Sequence, residues 1–225
     1  MDYYDNFLRG IRNHSEFVRD GAINPNRWNQ SPTKVLYVLK ETYGYDGCGQ
    51  GWSMAGELER KNGWLDHGRE AKTYKKIAQA SWLLGKAVDN GNLLPEEIQI
   101  PSDRETLWKA IQDTSIINIS KTSSQSRRSS SANIKQECKN NNTLLRWQIE
   151  SLKPKIIVAG SGVCWECLSH SKWGVLKDIV SVKVPRHIGK KFGDVWLYHA
   201  NHPSAWTAGG FNPRKIYQQL FSMLD

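Results

Sequence analysis

Apolar positions along this chain fall into two kinds of run that alternate. Four runs are short and nearly continuous, in the segments KVLYVLKE, TSIINISKT, KIIVAGSGV and VWLYHA. Such runs, rich in β-branched residues and bounded by turn formers, predict strands buried on both faces of a parallel sheet. Between them the apolar spacing becomes helical. Ile77, Trp82, Leu83 and Val88 share a broad face from Thr73 to Asn90, and SDRETLWKAIQD opens a second helix with Ser102 as cap and Glu105 three residues later. NTLLRWQIESLKP, VCWECLSH and PRKIYQQLFSML predict three more, the last with Pro213 in its first turn. The first 32 residues predict an N-terminal helix with apolar Phe7, Ile11 and Phe17, closed by Gly21 and a Pro/Asn loop. KTSSQSRRSSSANIKQECKNNN, polar and Ser/Asn-rich, predicts a loop or frayed helix, and VKVPRHIGKKFGD a basic turn.

Alternation of strands and helices predicts an α/β fold: one domain over 1–225, a three-layer αβα sandwich around a mostly parallel four-stranded sheet. A long helical and loop segment, about 45–113, separates the first two strands. In such sheets ligands bind beyond the carboxyl ends of the strands. The chemically distinctive residues fall there: Glu41 and Tyr43 after the first run, Asn118 ending the second, Ser161 after the third and His202 after the fourth.

Charge and composition narrow the class of partner. Lys plus Arg outnumber Asp plus Glu by 31 to 22, a net charge of +9, which suits either a polyanionic partner or simple solubility. Ten tryptophans add stacking surface, although most are expected in the core. Cys48, Cys138, Cys164 and Cys167 read as free thiols of a reducing compartment, consistent with the cytoplasm. The Cys164-x-x-Cys167 pair has no second pair at suitable spacing and lacks half the ligands of a metal site, so neither metal nor cofactor is expected. With no run of about 18 apolar residues and a polar, acidic start, no membrane partner or export is expected. No heptad pattern stands out, and a monomer is expected.

The order of these segments resembles the uracil-DNA glycosylase superfamily from about Lys34 to the end. VLYVLKETYG is similar to the family's first strand and motif, GWSMA to the following Gly-Leu-Ser-Phe-Ser, and SIINISKT to the strand ending in a base-reading Asn. LLRWQIESLKPKIIVAGSG is similar to the helix and strand before a phosphate-contacting Ser, and HPSAWTAGGF to the family's His-Pro-Ser-Pro-Leu-Ser.

The resemblance implies a monofunctional DNA glycosylase that flips out uracil or a modified pyrimidine and leaves an abasic site. Breaking an N-glycosidic bond builds positive charge on the sugar and negative charge on the departing base. Glu41 takes the position that orients the attacking water and faces the sugar, and His202 the position that donates to the base oxygen. Asn118, Tyr43, Met54 and Trp52 would bind the base. Ser161, Ser204 and Lys121 would hold phosphates, and Trp206 would wedge into the vacated stack. His199 belongs to the strand end and is read as structural.

Several positions depart from the pattern. Thr42 replaces the usual Pro, Met54 stands where an aromatic ring usually stacks, and Glu41 is one methylene longer than the usual Asp. The base therefore stays open between uracil, which implies repair, and a bulkier modified pyrimidine, which implies defence against viral DNA. Single- and double-stranded DNA both stay open as substrates. A non-catalytic nucleic-acid binder on the same fold is the alternative. A mononucleotide binder would rest on VAGSGV alone, which lacks Gly-x-Gly-x-x-Gly.

Overall fold

A computed structural model describes residues 20–41, 56, 58, 68–121, 129–177, 181–182, 190–203 and 211–224. The four apolar runs are the parallel strands β2 (Val35–Leu39), β3 (Ser115–Asn118), β4 (Ile156–Ala159) and β7 (Val195–His199). Three shorter strands join them: β1 (Gly21–Ala22), β5 (Ser181–Val182) and β6 (Lys190–Phe192). Among the described residues the sheet is seven-stranded and mixed, in the order β1-β3-β2-β4-β7-β6-β5. β1 runs antiparallel to β3, and β5 and β6 close the other edge antiparallel. The expected four parallel strands are therefore only the centre of the sheet, because strands of two or three residues leave no hydrophobic period to detect.

Every side chain of β2 is buried, and alternation sends them to opposite faces. Val35, Tyr37 and Leu39 pack against α2 (Gly68–Asn90), α3 (Arg104–Ile111) and α7 (Pro213–Phe221) through Ile77, Leu83, Leu107, Ile111, Ile216 and Leu220. Leu36 and Val38 pack against α1 (Pro25–Gln30), α4 (Ser131–Asn140), α5 (Asn142–Leu152) and α6 (Gly162–Ser169) through Trp28, Ile134, Leu145, Ile149 and Leu168. Helices thus cover both faces of the sheet. The long α2 ends at Asn90 because Gly91 takes φ +67, letting its N–H reach Val88 O and that of Asn92 reach Ala87 O.

Four local readings change, the first being that VKVPRHIGKKFGD, expected as a basic turn, holds β6 and the end of β5. Residues 21–32, expected as the glycine and Pro/Asn loop that close the N-terminal helix, hold β1 and the short α1, which starts because the Asn24 side chain accepts from the backbone N–H groups of Asn26 and Arg27. Residues 1–19 lie outside the described residues. The cap of α3 is Asp103 rather than Ser102, its carboxylate accepting from the Thr106 N–H at 2.8 Å. Part of the Ser/Asn-rich segment is the regular helix α4, capped by Ser130 on the Asn133 N–H at 3.1 Å. Burial of Ile134 and Cys138 supplies the tertiary packing that its polar sequence conceals.

Candidate functional site

The chain leaves β2 toward β3 on one side and reaches β4 on the other, so the strand order reverses between β2 and β4. At such a reversal the connections depart to opposite faces and leave a crevice beyond the carboxyl ends. Gly160, directly after β4, sits at this point. A Cβ there would lie 2.7 Å from Leu39 Cδ2, 3.3 Å from the Val38 carbonyl and 3.7 Å from Pro203 Cδ. Only a residue without a side chain lets β2, β4 and the loop after β7 approach so closely. Pro203, the residue after His202, therefore packs against the end of β4.

Main-chain pairing levels the strand ends. Leu39 lies opposite Asn118, Val38 opposite Ala159, and Ala159 opposite His199. The ladder runs past β3, with the Ser120 N–H donating to the Lys40 carbonyl at 2.9 Å, which fixes the backbone leading into Glu41. Asn118, Glu41, Ser161 and His202 thus follow one another across the carboxyl ends of the parallel strands.

Asn118 is 1% exposed, and its side-chain oxygen and nitrogen have no hydrogen-bond partner among the described residues. Its backbone N–H donates to Asp20 Oδ2 at 2.6 Å. Glu41 is buried, and its two oxygens accept from the Ser129 N–H, at 3.3 Å, and from the Ser129 hydroxyl. Ser129 was not singled out from the sequence, since it is one of several serines in a polar stretch and only the fold brings it to β2.

His202 is held mostly out of water. Its pKa is pushed down to about 4, first by burial and then by the positive charges of Lys40 and Lys76. The imidazole is therefore neutral near pH 7, with one N–H donor and one acceptor nitrogen. Lys76, on α2, has its own pKa lowered by burial and by Lys72 one turn earlier. Lys40 and Lys76 are functional candidates absent from the sequence reading, because nothing in their local pattern sets them apart from surface lysines.

Two expected phosphate contacts find other work. Ser161 caps α6: its Oγ accepts from the Cys164 N–H at 3.2 Å and donates to Cys164 Sγ at 3.0 Å. Lys121 does not face solvent. Its side chain is 2% exposed, and its ammonium lies 2.9 and 3.0 Å from the two oxygens of Asp20, which also accepts from Gln148 Nε2 at 3.0 Å. A residue so enclosed anchors the end of β3 instead of meeting a phosphate. Tyr43, Trp52, Met54, Ser204 and Trp206 lie outside the described residues.

Cys138, Cys164 and Cys167 are free and buried, and burial pushes the Cys164 thiol up to about 12. Among the described residues, no group of three or more His, Cys, Asp or Glu side chains is placed to hold a metal ion. No described helix is long and apolar enough to cross a membrane. No family model matches the chain, and no curated protein does.

Proposed function

We propose that this chain is a monofunctional DNA glycosylase that hydrolyses the N-glycosidic bond of uracil or a bulkier modified pyrimidine. The observation that carries the reading is Asn118, with two buried side-chain polar atoms unpartnered among the described residues, at the same carboxyl end of the parallel strands as Glu41 and His202. A buried polar atom left unsatisfied costs about 1–3 kcal/mol. A pyrimidine edge offering one donor and one acceptor would satisfy both atoms of the amide.

The remaining groups suit the charge that develops. Neutral His202 donates a hydrogen bond to the base oxygen as the glycosidic bond breaks, and the nearby charges of Lys40 and Lys76 favour the departing anion. A carboxylate has about four acceptor positions. Ser129 uses two on Glu41, which leaves others to orient the water that attacks the sugar. The positive field at the mouth of the crevice also favours the DNA backbone.

The grip of Ser129 on both oxygens of Glu41 favours a second reading, a non-catalytic nucleic-acid binder in which Glu41 only ties residue 129 to the sheet. One experiment separates the two. The protein is incubated with single- and double-stranded DNA carrying uracil or modified pyrimidines, and freed base and abasic sites are measured by mass spectrometry. Release by the wild type that falls by about 10²–10³ in His202→Ala and in Glu41→Gln, with DNA binding retained, is the expected result. Binding with no release from any substrate would leave the non-catalytic reading standing.

A further inference from the structure

We propose that Trp165, with His199 and Lys190, forms a stacking platform for an unpaired nucleobase and its phosphate beside the crevice. The proposal uses the nucleic-acid partner of the reading above but not its chemistry. Trp165 is on α6, four residues after the cap Ser161, so it lies one turn from the carboxyl end of β4. Alternation along β7 puts His199 on the sheet face that carries Leu197, the face covered by α6. Lys190 lies directly opposite Leu197 on β6 and so projects to the same face.

The side chains meet as that register requires. The rings of Trp165 and His199 are 5.7 Å apart at 46°, and Lys190 Nζ lies 5.5 Å from the Trp165 ring centre. Trp165 is half-buried, while His199 and Lys190 are exposed. The neighbouring carboxylate of Glu166 is tied to Lys135 at 2.7 Å, so its charge does not stand against an anion here. An ammonium over an indole face holds a position that a base can take, because every base offers a π-face to stack. The displaced Lys190 then reaches the phosphate of that nucleotide, and His199 lines the same approach. His202 follows His199 by three residues, so a nucleotide on the platform would adjoin one bound in the crevice.

A duplex keeps its bases paired and offers no free face, so the platform selects single strands or the unstacked neighbours of a flipped nucleotide. The test measures binding of labelled oligothymidine, oligouridine and a fully paired duplex by fluorescence anisotropy. Variants are Trp165→Ala, Trp165→Phe and Lys190→Gln, each checked for folding by circular dichroism. Expected are a loss of roughly tenfold in single-strand affinity for Trp165→Ala, most of it restored in Trp165→Phe, and unchanged duplex binding. Lys190→Gln should reduce the salt dependence of single-strand binding by about one ion.

Single-strand affinity equal to wild type in folded Trp165→Ala would overturn the proposal, and should that variant not fold, wild-type salt dependence in Lys190→Gln would do so. The glycosylase reading fails separately. Loss of single-strand binding in Trp165→Ala without base release by the wild type keeps the platform and removes the enzyme. Base release with wild-type binding by the variant does the reverse.

Discussion

Replacing Asp20 by Asn tests whether the end of β3 is held by a buried charge pair. The substitution is nearly isosteric, so it opens little cavity. It removes the negative charge that faces Lys121 Nζ at 2.9 and 3.0 Å and places an amide among three donors, from Asn118, Lys121 and Gln148. Because the Lys121 side chain is 2% exposed, water cannot replace the carboxylate. Breaking one side of such a pair costs about 3–5 kcal/mol, which for a chain of this size is a fall of roughly 6–20 °C in Tm. The loss has a ceiling, since Lys121 can give up its proton. Burial already lowers its pKa below 10.5, and Asp20 is what holds it up. Without Asp20 the folded pKa falls further below the unfolded value, so the unfolded chain binds more protons and stability rises with pH. The variant should therefore recover part of its deficit between pH 7 and 9. Urea unfolding followed by tryptophan fluorescence gives the free energy and m value. Asp20→Asn combined with Lys121→Met should be more stable than Asp20→Asn alone, because the stranded charge is gone. A cost below about 1 kcal/mol at pH 7 with unchanged m would refute the account, since an orphaned ammonium cannot be that cheap.

Two further predictions concern the crevice. The His202 pKa of about 4 lies below the ordinary 6.5, so the unfolded chain takes up the proton first as pH falls. Its contribution is intact above pH 6.5, is lost progressively toward pH 4 and levels off below; at 1.36 kcal/mol per pH unit its upper limit is about 3 kcal/mol. Urea unfolding of His202→Gln across that range should show a shallower decline than wild type, and parallel curves would refute the assignment. Gly160→Ala should cost about 1–3 kcal/mol by urea unfolding, because the new methyl would stand 2.7 Å from Leu39 Cδ2 and 3.3 Å from the Val38 carbonyl. Wild-type stability in that variant would mean that β2 and β4 have slack at the reversal.

Much of the framework was legible because it follows from short-range pattern. Five consecutive apolar residues in Val35–Leu39 leave no polar face to expose, so a strand covered on both sides follows from the residues themselves. Pro213 behind Asn212 starts α7 for an equally local reason: the Asn212 oxygen accepts from the N–H groups of Arg214 and Lys215. Where two caps competed, locality was not enough. Ser102 and Asp103 stand side by side, and the orientation of the incoming loop gives the role to Asp103. For α4 the polar pattern leaves loop and frayed helix both open, because serine and asparagine favour local turns until burial of Ile134 and Cys138 outweighs them.

The sequence by itself determined the central strands, the helical segments between them and the placement of Glu41, Asn118, Ser161 and His202 at strand ends. All of these follow from interactions among residues a few positions apart. Only the tertiary structure decided which charges meet. It paired Lys121 with Asp20 across 101 positions, gave Glu41 its donors on Ser129 across 88, and buried His202 beside Lys40 and Lys76, which keeps it neutral. Partner choice of this kind depends on which strand ends share a crevice and how far water is excluded from it. Both are properties of the assembled sheet, with its order reversed between β2 and β4, and no local pattern encodes them.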